Sequence, residues 1–314
     1  MSKPKIYIDG KEGTTGLQIY DRLADREDIR LLLIDEDKRK DTAERKRLMN
    51  EADVVFLCLP DEAAVEAIEL VENPATRIID ASTAHRTAPD WIYGFPELGK
   101  EAREAIRTAG RVANPGCYAT GFISLIAPLV RRGLLYPDAP LTCHALSGYT
   151  GGGKKAIAQY EAAEREPELV SPRHYAVTLS HKHLPEMVQL CGLTRKPIFM
   201  PMICDFPQGM VVTVPLYLDM LSGAQSPDSL RQFYRDFYAG SCFVTVRPDD
   251  APTCGFIGSN NLAGTNDLQI FVCGNGEQVM LSARLDNLGK GASGAAVQNM
   301  NIMLGFPEEA GLVK

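Results

Sequence analysis

A cysteine at the start of an apolar helix pattern is the strongest candidate for chemistry in this sequence. Cys117 follows Pro115 and Gly116 in "VANPGCYATG" and precedes the apolar run "FISLIAPLV". In the first turn of a helix, unpaired amides and the positive end of the helix dipole stabilise a thiolate. The same amides could hold an oxyanion formed by attack at a carbonyl. The pattern predicts a nucleophile, although most cysteines that form no disulfide are buried and inert.

The remaining cysteines show no pattern of their own. They are scattered, without a C-x-x-C pair or the spacing of a disulfide framework. We expect reduced thiols that lie mostly in the core: Cys58, Cys143, Cys191, Cys204, Cys242, Cys254 and Cys273. The chain enters a strand pattern directly after "MSKP" with no apolar signal core, which predicts a cytoplasmic protein.

Two histidines are the best partners for a reactive thiol. His181 and His183 stand in "SHKHLPE", at the end of an apparent strand "YAVTLSHKH", where residues two apart point to the same face. Glu186 is close enough in sequence to orient one ring. An H-x-H pair could also bind zinc, but no further ligands appear at a persuasive spacing, so we predict no metal site. An ordinary polar loop is the other alternative.

A glycine-rich turn follows the first strand pattern. Gly10, Gly13 and Gly16 form G-x-x-G-x-x-G in "DGKEGTTG", between a strand and a helix, where backbone amides can hold a pyrophosphate. The spacing departs from the usual G-x-G-x-x-G, and a tight turn without a ligand is the alternative. Asp35, at the predicted end of the second strand, would bind the ribose of NAD, whereas the cations Lys38 to Lys40 suit the 2′-phosphate of NADP. The residues alone leave this choice open.

Two other motifs carry candidate ligand contacts. "GYTGGGKK", Gly148 to Lys155, fits G-x-x-x-x-G-K but has Lys155 where a magnesium-binding Ser or Thr is needed, so a kinase or ATPase is disfavoured. We expect a glycine-rich loop before a helix, near an anionic substrate or the cofactor, and the alternative is that Lys154 and Lys155 are only solvated charges. Arg86 in "DASTAHR" follows a strand pattern and could grip a phosphate or carboxylate, although His85 and Arg86 could also merely cap a loop.

The order of predicted helices and strands that must position these residues differs between the first third of the chain and the part that follows. The first third alternates apolar strand patterns, such as "KIYID" and "DVVFLCL", with helix patterns, which predicts an α/β Rossmann-type, doubly wound parallel sheet. From about Leu141, strands separated by turns predict an α+β second domain with a largely antiparallel sheet. We predict a dinucleotide-binding domain over residues 1–116, completed by a C-terminal helix within 291–314. Residues 117–290 would form the catalytic, substrate-binding and oligomerisation domain.

Composition narrows the class of partner. With 314 residues and 45% hydrophobic residues, the chain can bury a large core. Its net charge of −7 disfavours nucleic acid and anionic membranes, which attract basic surfaces, and its apolar runs are too short to span a bilayer. A small-molecule partner is expected.

Seven motifs in order resemble one enzyme family. "KEGTTG", "DASTAHR", "FPEL", "NPGCYATG", "SGYTGGGKK", "SHKHLPE" and "DNLGKGASGAAVQNMN" resemble the N-acetyl-gamma-glutamyl-phosphate reductases, in their shorter form, within the semialdehyde dehydrogenase group. The resemblance implies NADPH-dependent reductive dephosphorylation of N-acetylglutamyl 5-phosphate to the 5-semialdehyde, in arginine biosynthesis, by a homo-oligomer (dimer or tetramer). It implies a thioacyl intermediate on Cys117.

The resemblance also implies roles for individual residues. His181, with His183 as the alternative, would be the acid/base, with Glu186 beside them. Arg86 and Asn114 would bind substrate. The implied dinucleotide contacts are Gly10, Gly13, Thr14, Thr15, Gly16, Ser82, Ser147, Gly148 and Asn287.

The sequence differs from the family motifs at two places, and two other functions remain as alternatives. Many relatives have Asp-Phe-Arg where this chain has Ala84-His85-Arg86, and "SGYTGGGKK" differs from the Ser-Gly-Ala-Gly-Arg-Lys of the longer form. An enzyme like aspartate-semialdehyde dehydrogenase, acting on another acyl phosphate, and a non-catalytic dinucleotide-binding sensor are the alternatives.

Overall fold

The computed structural model describes residues 3–248 and 255–314. The chain forms two compact units. One consists of Met1–Pro115 with Ala292–Leu312, and the other of Gly116–Gly291 with Val313–Lys314.

The first unit is built on a six-stranded sheet within its described residues. In spatial order the strands are β2 (Arg30–Leu32), β1 (Lys5–Asp9), β3 (Val54–Leu57), β4 (Arg77–Asp80), β6 (Arg111–Ala113) and β5 (Ile92–Tyr93). Every neighbouring pair is parallel. Ile6 and Phe56 point into one core and Tyr7 and Val55 into another, so the sheet is buried on both faces.

Among the described residues, five α-helices cover these two faces. They are α1 (Thr14–Leu23), α2 (Thr42–Glu51), α3 (Asp61–Ile68), α4 (Lys100–Thr108) and α9 (Gly294–Leu304). Ile19, Ile106 and Met300 of α1, α4 and α9 pack with Ile6, whereas α2 and α3 pack on the opposite face. The predicted Rossmann-type, doubly wound sheet is confirmed.

The second strand is shorter than the sequence pattern suggests. β2 pairs with β1 only from Arg30 to Leu32, so Asp35 does not end a strand as predicted. Asp35 instead precedes a single 3-10 turn, Glu36–Lys38. β1 continues to Asp9, so β2 leaves its single neighbour after three pairs although further backbone of β1 is available, and its own apolar pattern does not set this limit.

The second unit holds a seven-stranded mixed sheet in its described part. In spatial order the strands are β11 (Val244–Val246), β12 (Leu268–Gly274), β13 (Gln278–Leu285), β10 (Met210–Tyr217), β7 (Thr142–Gly148), β9 (Ile198–Cys204) and β8 (Arg173–His174). The pairs β11–β12 and β7–β9 are parallel, and the other pairs are antiparallel. The prediction of a largely antiparallel sheet in an α+β domain is confirmed.

The described residues of this unit form four α-helices, and the first of them is buried along most of its length. They are α5 (Cys117–Arg131), α6 (Gly153–Tyr160), α7 (Leu184–Cys191) and α8 (Pro227–Phe237). Pro128 lies inside α5 and cannot donate to the carbonyl of Ser124, four residues earlier. The Tyr238 hydroxyl, just after α8, donates to that carbonyl at 2.7 Å instead. None of the helices in the described ranges is both long and apolar enough to cross a membrane.

Candidate active site

Cys117 is the first residue of α5 in the second unit. Gly116, which precedes it, has extended backbone (φ −79°, ψ 147°) and contributes no capping side chain to the first-turn amides. The Cys117 side chain is half-buried. Behind it lies Gly291, where an added Cβ would stand only 2.7 Å from the Cys117 Cβ. The thiol therefore sits at the positive end of a helix dipole, with backbone packed closely behind it.

The other described cysteines lie in different surroundings. Cys143, Cys191 and Cys204 are buried, and Cys58, Cys242 and Cys273 are half-buried, so only part of the predicted set lies in the core. Burial raises the pKa of the Cys143 and Cys191 thiols above its ordinary value, which keeps them protonated. None of the seven described cysteines forms a disulfide, and Cys254 lies outside the described residues.

The two histidines do not stand on a strand, so the strand predicted over "YAVTLSHKH" is wrong. β8 stops at His174, and Ala176 and Leu179 have left-handed backbone (φ 52° and 56°), which a strand cannot accommodate. His181 begins a turn, closed by the Leu184 amide donating to its carbonyl at 3.0 Å, and His183 immediately precedes α7. The rings nevertheless meet, with centroids 4.7 Å apart and planes at 81°.

Glu186 connects the histidines to the cysteine loop. Its carboxylate is buried on α7, one oxygen accepts the Gly116 amide hydrogen at 3.1 Å, and the other stands 4.0 Å from Nε2 of His183. His183 is buried as well. The structure thus brings His181, His183 and Glu186 together and connects Glu186 to the residue immediately before Cys117, all inside one unit.

Two tyrosines that the sequence analysis did not single out complete this cluster. Tyr118 follows Cys117 on α5, and its ring lies 5.8 Å from that of His181, centroid to centroid. The Tyr175 hydroxyl is 3.3 Å from Nε2 of His181 and hydrogen-bonds to the Tyr118 hydroxyl. Burial raises the pKa of both phenols, and a negative charge on Cys117 raises it further. Tyr118 was visible in the motif "NPGCYATG", but nothing in the local pattern marked Tyr175.

The glycine-rich turn of the first unit fits a dinucleotide phosphate. Gly10 has φ +81°, and a Cβ there would lie 2.4 Å from the Cys58 carbonyl oxygen. A Cβ on Gly16 would lie 2.5 Å from the Gly10 carbonyl oxygen, so only glycine lets α1 start this close to β1. Gly13 precedes α1, and Thr14 and Thr15 open it. Glycines thus stand on both sides of the start of α1, whose first backbone amides suit an anion.

The end of β4 gathers buried polar groups in the same unit. Asp80 accepts hydrogen bonds from the amide and hydroxyl of Ser82, and its carboxylate is 2.7 Å from Nδ1 of His85. Arg86 is buried and donates through Nε to the Asn114 carbonyl at 2.9 Å. Arg86 and Asn114, the two predicted substrate contacts, are therefore in direct contact, and His85 is paired with a carboxylate.

The remaining predicted dinucleotide contacts lie in the second unit. Ser147 and Gly148 end β7, and a Cβ on Gly148 would lie 2.4 Å from the Pro207 carbonyl oxygen. The buried Asn287 accepts from the Gly209 amide and donates to the Thr150 hydroxyl, so its side chain braces this loop. Lys154 and Lys155 are exposed at the start of α6, which follows the glycine-rich loop as predicted.

The charged residues that follow β2 are the ones from which the sequence analysis tried to distinguish NAD from NADP. Asp35 and Lys38 are both exposed, with 3.5 Å between carboxylate and ammonium. Arg39 and Lys40 are exposed as well. The segment therefore offers both signs of charge to solvent.

Comparison with known proteins identifies the family that the sequence motifs resemble, and the matches extend over nearly the whole chain. The profile described as "Semialdehyde dehydrogenase, NAD binding domain" matches residues 5–108, and "Semialdehyde dehydrogenase, dimerisation domain" matches residues 117–287. The chain is 48% identical to N-acetyl-gamma-glutamyl-phosphate reductase 2 of Nostoc sp., over 99% of this chain and 100% of that protein. It is 50% identical to N-acetyl-gamma-glutamyl-phosphate reductase of Rhizobium meliloti, over 96% and 99%.

A solved structure supports the fold independently of close sequence similarity. Aspartate semialdehyde dehydrogenase II from Vibrio cholerae matches with a TM-score of 0.72 at 14% identity, covering 97% of this chain and 99% of that one. At that identity the likeness concerns the fold alone. From the sequence matches, the chain belongs to the N-acetyl-gamma-glutamyl-phosphate reductases of the semialdehyde dehydrogenase family.

Proposed function

We propose that this chain catalyses the NADPH-dependent reductive dephosphorylation of N-acetyl-L-glutamyl 5-phosphate to N-acetyl-L-glutamate 5-semialdehyde, a step of arginine biosynthesis. The names of the relatives, which match over nearly the full length at 48% and 50% identity, support the substrate. The observation that carries the chemistry is a half-buried cysteine at a helix start, tied through Gly116 and Glu186 to a histidine pair.

The chemistry proceeds through a covalent intermediate on Cys117. The thiolate attacks the acyl carbon, the bond from that carbon to the phosphate oxygen breaks, and phosphate leaves with the bonding electrons. When bound, NADPH supplies the hydride that reduces the resulting thioester. The oxygen of the tetrahedral adduct then re-forms a carbonyl, the carbon–sulfur bond breaks, and the aldehyde leaves while Cys117 recovers its thiolate. Covalent catalysis thus divides one displacement into easier steps.

We propose that His181 is the acid/base at the reacting centre, with His183 as the alternative. Glu186 would hold His183 and the Gly116 amide in place, which is consistent with its burial and its two contacts. Histidine is suited to this role because its ring nitrogens can donate near neutral pH.

Ligand contacts are proposed from the same residues that the sequence singled out. Gly10, Gly13, Thr14, Thr15 and Gly16 would hold the dinucleotide phosphates at the start of α1. Arg86 and Asn114 would bind substrate. Further dinucleotide contacts are proposed for Ser82, Ser147, Gly148 and Asn287.

We propose that the two parts of the chain have different functions. Residues 1–116 with 291–314 would bind the dinucleotide, and residues 117–290 would carry catalysis and association. The family profile over residues 117–287 is described as a dimerisation domain, which supports a homo-oligomer, either a dimer or a tetramer. Native mass spectrometry, which measures the mass of the intact assembly, tests whether the protein is a dimer or a tetramer. We place the enzyme in the cytoplasm, where a catalytic thiol stays reduced.

The decisive experiment follows NADP⁺ reduction in the oxidative direction, with N-acetylglutamate 5-semialdehyde and phosphate. We expect turnover with this aldehyde, little with aspartate semialdehyde, and none in Cys117→Ala. Cys242→Ser is the matched control, because Cys242 is also half-buried but lies outside the cluster. Turnover only with aspartate semialdehyde would contradict the proposed substrate, and full turnover in Cys117→Ala would contradict the mechanism. Dinucleotide binding without turnover of either aldehyde would favour a sensor.

A further inference from the structure

The loop between β4 and β5 takes its shape from side-chain hydrogen bonds. Residues 81–91 are all described and form neither helix nor strand. The loop starts at Asp80, the last residue of β4, whose side chain is fully buried. One carboxylate oxygen accepts the Ser82 amide at 2.9 Å, and the other accepts the Ser82 hydroxyl at 2.6 Å. The first residues of the loop therefore turn around a buried carboxylate.

His85 binds the same carboxylate from five residues further along the chain. Its Nδ1 lies 2.7 Å from the Asp80 oxygen that also accepts the Ser82 hydroxyl. A carboxylate offers only acceptors, so Nδ1 donates. The ring also stacks on the buried Trp91, with centroids 4.3 Å apart and planes at 22°. These two contacts fix the ring in both position and orientation. Phenylalanine, which many relatives have at this place, can stack but cannot donate a hydrogen bond.

Arg86, the next residue, is held by backbone carbonyls of the same unit. Its Nε donates to the Asn114 carbonyl at 2.9 Å, and a terminal guanidinium nitrogen donates to the Ala81 carbonyl at 3.3 Å. The bond to Ala81 spans five residues, as does the bond from Asp80 to His85. The two bonds thus close the loop at adjacent positions of the chain. Because His85 and Arg86 share a peptide bond, loss of the first closure should loosen the second.

We infer that His85 is a positioning residue for Arg86: its hydrogen bond to Asp80 closes the loop in the shape that presents the guanidinium to an oxyanion of the substrates. The inference deepens the proposed function, in which Arg86 binds substrate, and rests on it. A guanidinium binds the oxygens of a phosphate or a carboxylate best through two parallel hydrogen bonds, which require its plane to be correctly oriented. The oxyanion is either inorganic phosphate or the carboxylate of the aldehyde, and kinetics distinguish the two.

Steady-state kinetics in the oxidative direction test the positioning role. Arg86→Lys keeps the charge but loses the planar fork, so the KM that it raises, for phosphate or for the aldehyde, identifies the group that Arg86 binds. In His85→Phe we expect the same KM to rise about tenfold while kcat stays within about threefold of wild type. His85→Asn should stay within about twofold of wild type, because its amide can donate to Asp80 as Nδ1 does. His174→Phe, at an exposed histidine on β8, is the matched control.

A double variant shows whether His85 acts through Arg86. A positioning residue has no effect once the group that it orients is gone. Adding His85→Phe to Arg86→Lys should therefore change the affected KM by less than about twofold. A loss of kcat alone in His85→Phe, a rise in the other KM, or fully additive effects in the double variant would overturn the inference.

Hydrogen exchange measured by mass spectrometry tests the loop without turnover. The amides of residues 82–88 should exchange about tenfold faster in His85→Phe than in wild type, and at the wild-type rate in His85→Asn. Unchanged exchange in His85→Phe would overturn the role of His85 in closing the loop. If wild type turns over neither aldehyde while exchange behaves as expected, the proposed function fails and the closure of the loop by His85 stands. If wild type turns over the aldehyde while His85→Phe keeps wild-type KM values, only the inference fails.

Discussion

Glu186 accepts the backbone hydrogen of Gly116 at 3.1 Å, so a side chain on α7 restrains the residue immediately before Cys117. Its second oxygen stands 4.0 Å from Nε2 of His183. One buried carboxylate therefore sets both the start of α5 and the electrostatic surroundings of a histidine.

Replacing this carboxylate should separate its two roles. Glu186→Gln keeps an acceptor for the Gly116 amide but removes the charge beside His183, so turnover should fall by about tenfold or more with little loss of stability. Glu186→Leu removes the acceptor and should also lower the free energy of unfolding by about 1–3 kcal/mol. Steady-state kinetics and urea unfolding measure these effects. Glu104→Gln, at an exposed ion pair, is the control, and wild-type turnover in Glu186→Gln would refute the electrostatic role.

Replacing Gly291 with alanine tests whether close packing against the Cys117 Cβ fixes the position of the thiol. In Gly291→Ala the new methyl group would stand 2.7 Å from the Cys117 Cβ and 3.0 Å from the Asp286 carbonyl oxygen. We expect a displaced thiol, with kcat at least tenfold lower (about 1.4 kcal/mol) and altered Cys117 alkylation by iodoacetamide. Gly276→Ala is the matched control, because nothing lies within 4 Å of the position of its new Cβ. Wild-type kcat and alkylation in Gly291→Ala would show that the contact does not constrain Cys117.

Gly16 tests the dinucleotide turn separately from the thiol. An alanine methyl group there would lie 2.5 Å from the Gly10 carbonyl oxygen and push the start of α1 away from β1. NADP⁺ affinity should fall by about tenfold or more, equivalent to about 1.4 kcal/mol, as titration of protein fluorescence would show. The rate of Cys117 alkylation in the absence of dinucleotide should stay unchanged. Gly110→Ala, with no atom within 4 Å of the new Cβ, is the control, and equal NADP⁺ affinity in both variants would argue against this binding site.

Alkaline solution should destabilise the second unit through its buried thiols. Burial raises the pKa of Cys143 and Cys191 in the folded protein, so their stabilising contribution is complete below the unfolded pKa of about 8.5 and is lost as pH rises above it. The slope is about 1.4 kcal/mol per pH unit for each thiol. Urea unfolding from about pH 8.5 to 10 should therefore show a shallower loss of stability in Cys143→Ala than in wild type. Identical slopes would mean that Cys143 ionises equally in both states.

The sequence predicted the parts of the fold that depend on local periodicity. Strands such as β3 are apolar on both faces, so the apolar pattern "DVVFLCL" located this strand, which forms over Val54–Leu57. The end of β2 was missed because β2 stops pairing with β1 after Leu32, although β1 continues to Asp9, and the apolar pattern of the segment does not mark that point. The strand predicted before His181 was wrong because left-handed residues such as Ala176 do not reveal their backbone conformation by type.

In the candidate site, too, the residues marked by a local sequence pattern were predicted, and those placed by tertiary contacts were not. Cys117 was predicted in the first turn of a helix, and it lies there, because a Pro-Gly corner before an apolar run is a local signal. Tyr175 and Gly291 could not be found in this way. Their contacts with His181 and Cys117 arise from packing between segments that are distant in sequence or joined by an irregular loop.

The last helix has a consequence for how the protein is made. Ala296, Val297 and Met300 of α9 share one core with Ile6 and Ile79, so that core joins segments that lie on either side of the second unit in the sequence. During translation, the first unit cannot complete this core until the second unit and α9 have been synthesised. The segment between Gly116 and Gly291 is synthesised earlier and has a sheet of its own. Domains generally fold as units, and contacts distant in sequence form slowly, so the unit that carries the thiol is expected to fold first.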